Sequence, residues 1–145
     1  MKTSSTQRSL TPINFTVYGT PVPQGSKRAF YKAGMKHAVV IEDNSKTKPW
    51  RQELAGTAAE KMGNRPIELG PIIVQCMFFF DRPKSLKKSV SAKTTKPDVD
   101  KLARTVLDAL TGTVFKDDGQ VIELRVAKLF GDRPRAEISV TIVPY

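Results

Sequence analysis

The stretch Ile72–Phe80, IIVQCMFFF, constrains this chain most: it is apolar at every position except Gln75. A strand built from it is apolar on both alternating faces. That predicts a central strand with neighbours on both edges and cover on both faces. Such a strand needs a sheet around it, and the rest of the sequence supplies one. Alternation at Ile13, Phe15 and Val17 predicts a first strand. Ile122, Leu124, Val126 and Phe130 predict another, and Ala136, Ile138, Val140 and Ile142 the last. Arg28–Tyr31 and His37–Ile41, split by Lys32-Ala-Gly-Met-Lys36, read as a hairpin.

Two segments carry the helical period instead. Trp50, Leu54, Ala58 and Met62 recur at four-residue spacing within 48–62, and Gly63-Asn64 stops them. Val99, Leu102, Ala103, Val106, Leu107 and Leu110 follow helical spacing, with Gly112 at the end; Val99 and Leu102 are expected in the core. The order is strand, hairpin, helix, strand, helix, strand, strand. It predicts a mixed α/β (α+β) fold in two layers, with two main helices on a largely antiparallel or mixed sheet of four or more strands. A length of 145 residues suits one domain, taken as 13–145, behind a polar tail at 1–12 that is expected to be disordered.

Composition then removes chemistries. One cysteine, Cys76, excludes an internal disulfide or a multi-cysteine zinc site, and one histidine, His37, excludes a zincin and argues against a histidine triad. Cys76 is expected as a buried hydrophobe, His37 at the surface, and Trp50 packed under its helix. No apolar run approaches the ~20 residues of a membrane span, and the opening MKTSSTQRSLTPIN lacks the apolar core of a signal peptide. The expectation is a cytoplasmic-type domain without membrane contact. Gly19-Thr-Pro-Val-Pro-Gln-Gly25-Ser-Lys27 imitates a phosphate loop, but its glycines are one residue too far apart and Lys27 follows Ser26. Its prolines also lack the amide donors that a phosphate cradle needs. No nucleotide cofactor is expected; the segment reads as a stiff turn presenting Lys27 and Arg28.

The net charge is +10 and uneven. Residues 1–48 hold eight Lys/Arg against two acids, and residues 81–104 hold eight against three. Residues 49–80 are neutral, and 105–145 are slightly acidic. Two basic blocks of this kind suit a polyanion, most often nucleic acid. The connector from Asp81 to Lys96 is longer than most loops, which are then functional or disordered. Lys84, Lys87, Lys88 and Lys96 within it, with Lys27 and Arg28, are the candidate phosphate contacts.

Against this basic background, two acidic clusters stand out. Pro97 disfavours helix at Lys96, so the second helix should begin at or after Asp98, with Asp98 near the N-cap accepting helix amide protons. Asp100, Arg104 and Asp108 lie four apart and share the outward face. Asp117-Asp118-Gly119 follows the same helix as a turn. Each cluster has an ordinary explanation. Acids in a first helical turn stabilise it by about 0.3–1 kcal/mol each, and Asp-Asp-Gly makes a good turn. A twelve-residue helix holds its ends ~18 Å apart. The six residues Thr111 to Lys116 can extend ~20 Å, just enough to carry Asp118 back to Asp98. A site so closed would be all oxygen, which selects a hard cation, Mg²⁺ or Mn²⁺. Such an ion suits phosphodiester hydrolysis, with Arg104 or a nearby lysine stabilising charge on the phosphate.

The run KPDVDKLARTVLDALTGTVFKDDGQVIEL, Lys96 to Leu124, resembles the RusA family of Holliday-junction resolvases, the crossover-junction endodeoxyribonucleases of bacteria and phages. That family's signature is Asp-x-Asp-Asn-Leu-x-Lys, an Asp-Ala-Leu helix end and an Asp-Asp-x-Gln-Val/Ile turn entering a strand. Asp98, Asp100, Leu102, Asp108-Ala109-Leu110 and Asp117-Asp118-Gly-Gln120-Val121 match it. Pro21-Val-Pro23-Gln-Gly25-Ser-Lys27-Arg28 is similar to the family's proline-rich basic opening. The resemblance implies a RusA-like nuclease domain over 13–145, from a bacterial or phage genome and active in DNA recombination and repair. It implies a homodimer that binds four-way DNA junctions and makes paired symmetric nicks with Mg²⁺. Carried over by position, Asp98, Asp100 and Asp118 are the catalytic, metal-holding acids, and Asp117 is the supporting acid beside them. Arg104 stands at the family's catalytic lysine. Arginine keeps the charge but releases no proton, so the role carried over is electrostatic. Lys101 replaces the usual Asn. A two-fold junction cut twice by chains with one site each calls for a two-fold dimer. The rival reading is a non-catalytic basic nucleic-acid-binding protein whose aspartates are helix caps and turn formers.

Overall fold

The apolar run forms β4 (Ile72–Asp81) at the centre of a four-stranded sheet in a computed structural model that describes residues 10–25, 27–30, 34, 36–37, 39–42 and 45–145. The other strands are β1 (Ile13–Tyr18), β5 (Val121–Gly131) and β6 (Arg135–Ile142). Their order is β1-β6-β4-β5, antiparallel at the first two pairings and parallel between β4 and β5, so the sheet is mixed. β2 (Lys27–Phe30) and β3 (Val39–Glu42) pair antiparallel as the expected hairpin, in a sheet of their own. The tail at residues 1–9 lies outside the described residues, as do the side chains of Lys27 and Arg28.

Helices α1 (Thr47–Met62) and α2 (Val99–Leu110) pack on each other and cover one face of the sheet. Trp50, Leu54, Ala58 and Met62 are buried, as their spacing requires. Ile13, Phe15 and Val17 of β1, Val74, Cys76 and Phe78 of β4, and Ala136, Ile138 and Val140 of β6 complete one core. Gly63 ends α1 with φ +55, a conformation that favours glycine, and its N–H reaches Ala59 O at 3.1 Å.

The expectation of cover on both faces of β4 is corrected. Ile72, Val74, Cys76, Phe78 and Phe80 are buried under the helices, whereas Ile73, Met77 and Phe79 are half-buried and Gln75 is exposed on the opposite face. Two helices make only one layer, so the other face is shielded by long side chains. The Arg135 guanidinium lies 3.8 Å from the Phe79 ring centroid. The alternation in β5 is also less inward than its pattern suggests. Ile122 falls at a register irregularity opposite Ile72/Ile73 and is 64% exposed, because β5 is an edge strand.

Asp81 closes β4, and the rest of the connector, 82–96, contains neither helix nor named strand, yet it is tied down. Arg82 Nη1 donates to the carbonyls of Lys87 and Val90. Phe130 N donates to Ser91 O at 2.8 Å and Lys93 N to Lys128 O at 3.1 Å, so the connector docks on the outer edge of β5. No helix among the described residues is long and apolar enough to cross a membrane.

Candidate active site

Asp98 is the N-cap of α2, with extended φ/ψ of −72°/145°, and its carbonyl accepts the first helical bond from Leu102 N at 3.1 Å. Its carboxylate accepts no helix amide, contrary to the capping expected from sequence. Neither the Asp98 nor the Asp100 carboxylate has a hydrogen bond or ion pair among the described residues, and both residues are exposed. Inward, Leu102, Ala103, Val106, Ala109 and Leu110 fix the roll of the helix. That roll turns Asp100, Arg104 and Asp108 outward together, as the spacing predicts. Val99 is 41% exposed and does not join the core; it lines a groove with Ala103, Leu107 and Leu124.

After Leu110 the chain doubles back. Gly112, at φ +82, makes the sharp turn, and its N–H meets Phe115 O at 2.7 Å. Val114 and Phe115 are fully buried and anchor the return. Glu68 N donates to Val114 O at 2.8 Å, which stitches the return to the chain entering β4. A single 3₁₀ turn at Asp118–Gln120 then leads into β5. Asp117 Oδ1 accepts from Gly119 N at 2.8 Å, so Asp117 builds the turn. Gln120 accepts from Lys116 N and Asp117 N and donates to the carbonyls of Glu68 and Gly70 at 3.0 and 2.9 Å.

This scaffold delivers Asp118 to the outward face of α2. Its Oδ2 accepts from Arg104 Nη1 at 2.7 Å, and the same nitrogen lies 3.9 Å from Asp108 Oδ1. The meeting point is the middle of the helix, one turn beyond Asp100.

Adjoining recesses run along this face. One of about 380 Å³ has Asp98, Lys96 and Lys101 on its wall, facing Gln24 and Gly25. Gln24, Gly25 and Lys101 also bound the next, with Asp100 and Arg104. Asp100 and Arg104 continue into a third of about 420 Å³ against Leu124 and Val126. The shared walls make a continuous groove past Asp98, Asp100 and Arg104. Gln24 N donates to Lys101 O at 3.0 Å, which docks the proline-rich turn beside α2. A recess of about 430 Å³ elsewhere, bounded by Asn14, Lys61 and Gln75, holds one carboxylate, Glu137, against two along the groove.

The donor chemistry fits a hard divalent cation: carboxylates alone, two of them uncommitted, with no thiolate or imidazole on the groove. Among the described residues, no three or more His, Cys, Asp or Glu side chains are gathered into a ready-made cage. Asp118 is held by Arg104 instead.

Of the basic candidates, Lys84, Lys87, Lys88 and Lys96 are exposed and have no acidic partner among the described residues. Cys76 is buried and His37 exposed, as expected. Sequence reasoning missed Gln24 as part of the groove, and it passed over Lys128. The signal for Lys128 was present: it interrupts the apolar alternation of Leu124, Val126 and Phe130.

The comparisons agree with the motif. A family model described as endodeoxyribonuclease RusA matches residues 19–141. The chain is 36% identical over 140 residues to the uncharacterized protein YqaN of Bacillus subtilis (strain 168), covering 88% of this chain and 94% of that one. It is 31% identical over 90 residues to a crossover junction endodeoxyribonuclease of Lactococcus phage r1t, covering 59% of this chain and 68% of that one.

Proposed function

The chain belongs to the RusA endodeoxyribonuclease family, and from that premise we propose that it is a Mg²⁺-dependent endonuclease resolving four-way DNA junctions by paired nicks as a homodimer. The observation that carries the reading is the return of Asp118 onto Arg104 of α2, the helix whose first turn bears the uncommitted carboxylates of Asp98 and Asp100.

Asp98, Asp100 and Asp118 would hold the ion. When bound, Mg²⁺ (or Mn²⁺) polarises a phosphodiester oxygen and lowers the pKa of a bound water. The remaining work falls to the chain. Arg104 holds Asp118 through one nitrogen and has further guanidinium donors for a phosphate. Lys96 and Lys101 line the groove beside Asp98 and attract the backbone on that side. Asp117 supports the site by building the turn that aims its neighbour. Backbone grip by Lys84, Lys87, Lys88 and Lys96, with Lys27 and Arg28, suits a substrate recognised by branch geometry.

The dimer reading is supported by the uncovered half of β5. Ile122 and Leu124 are 64% and 42% exposed there, and Glu123 and Arg125 alternate in charge. Antiparallel pairing of this edge with its copy about Leu124 sets Glu123 of each chain across from Arg125 of the other, a self-complementary match.

The rival, a non-catalytic binding protein, needs the aspartates as caps and turn formers. Asp117 fits that role, but Asp98 caps nothing with its side chain. The test is a labelled four-way junction incubated with the pure protein in Mg²⁺ and in EDTA. Paired nicking only with the metal is expected. Asp98→Asn should abolish cutting and keep or tighten binding, since it removes a repulsive charge. Binding without metal-dependent nicking by the unaltered protein would favour the rival.

A further inference from the structure

Lys128 occupies a place on β5 where the fold otherwise uses apolar residues. It lies in register with Phe78, fully buried in β4, and between Val126 and Phe130, which pack on the core. A lysine half-buried at such a position costs desolvation and side-chain entropy unless its donors are used. Two are used: Nζ donates to Thr95 O at 2.6 Å and to Pro97 O at 2.8 Å. No carboxylate pairs with it among the described residues. The ammonium therefore grips only backbone, at the last residues before α2.

The residue that follows Pro97 is Asp98. Its carboxylate makes no cap bond, so no contact of its own aims it. Its direction is set by the backbone that enters the helix, and Lys128 is the strand-side anchor of that backbone. Neighbouring contacts reinforce the anchor. Lys93 Nζ donates to Thr95 Oγ1 at 2.8 Å and sits 5.2 Å from the Phe80 ring centroid. The entry to α2 is thus tied to β5 and β4 of the sheet.

We infer that Lys128 is a positioning residue: by holding the Thr95 and Pro97 carbonyls it fixes the Asp98 carboxylate in the direction that metal binding requires. This rests on the metal-nuclease reading above. The residue touches neither substrate nor ion and acts only through the backbone.

The test is direct Mn²⁺ titration of the full chain by electron paramagnetic resonance, with junction binding and the kcat/KM split measured alongside. Lys128→Met keeps the length and loses both bonds. It should weaken Mn²⁺ at least tenfold, the range seen when groups supporting metal ligands are removed. It should lower kcat with KM for junction changed by less than about threefold, as expected when ground-state binding is untouched. Lys128→Arg, which can still donate to both carbonyls, should recover most of the affinity. Should Lys128→Met fold poorly, Lys128→Gln, too short to span both carbonyls, gives the same readout. Asp98→Asn in the same titration separates the two layers of argument. If Asp98→Asn leaves Mn²⁺ affinity unchanged, the metal reading fails. If Asp98→Asn loses the ion while the Met and Gln variants of Lys128 retain it, the positioning role alone is overturned.

Discussion

Arg104 and Asp118 meet at 2.7 Å across fourteen residues of chain, joining the middle of α2 to the turn that opens β5. The pair is half exposed, 47% and 37% for the two side chains, so solvent screens it and its contribution to stability is small. Its value is geometric, because it holds a carboxylate against a guanidinium that lines the groove.

Replacing Arg104 should therefore affect chemistry more than folding. Arg104→Ala is expected to lower kcat on a four-way junction by roughly 10²–10³-fold, the usual cost of one transition-state charge donor. Arg104→Lys should keep most of the rate, since the charge remains. Thermal melts should barely move in either variant, and single-turnover kinetics would check the rate.

Gln120 is the hub of the return. Gln120→Ala removes the bonds that its side chain makes to Lys116, Asp117, Glu68 and Gly70. A loss of about 1–3 kcal/mol is expected from the backbone groups left unpaired. Urea denaturation would measure it. Nicking should fall further than stability explains, because Asp118 loses its support.

The exposed lysines make a prediction about salt. Junction affinity should fall steeply with salt concentration. Replacing Lys84, Lys87, Lys88 or Lys96 by Gln should reduce the slope by about 1 for each phosphate that the variant no longer neutralises. Fluorescence anisotropy at several salt concentrations would test this. A slope unchanged in all four variants would remove the connector from the DNA path.

Burial pushes the Cys76 thiol up, from 9.0 to about 12. Above pH 9 the unfolded chain sheds that proton and the folded chain keeps it. The thiol's stabilising contribution is therefore complete below pH 9 and is lost as the pH rises through about 12, by up to about 4 kcal/mol. Cys76→Ala should flatten this part of the alkaline slope. Denaturation at pH 8 and pH 11, compared between the two proteins, reads the difference.

The free edge of β5 can be blocked without harming the sheet. Lys128 O and Phe130 N point outward to the connector, so by alternation the Leu124 N–H also points outward. Leu124→Pro removes a donor that the β4 pairing does not use. The variant should remain folded and run as a monomer in light scattering, whereas the unaltered chain should run as a dimer. A dimer that survives this change would place the interface elsewhere.

The elements and the acids follow from local sequence. The apolar run at 72–80, the helical period from Val99 to Leu110 and the alternation in the last strand are local patterns, because burial repeats with the geometry of the element itself. Pro97 and Gly112 punctuate the chain in the same local way, and so the placement of Asp98 and Asp100 at a helix start was legible. Three things came only with the packed fold: which face of β4 stays open, the unfilled capping role of Asp98, and the landing of Asp118 on Arg104. The grip of Lys128 on the helix entry, from 31 residues away, is a fourth. These depend on the strand order β1-β6-β4-β5 and on the return packed by Val114 and Phe115. No residue period encodes a contact between segments that only the sheet brings together.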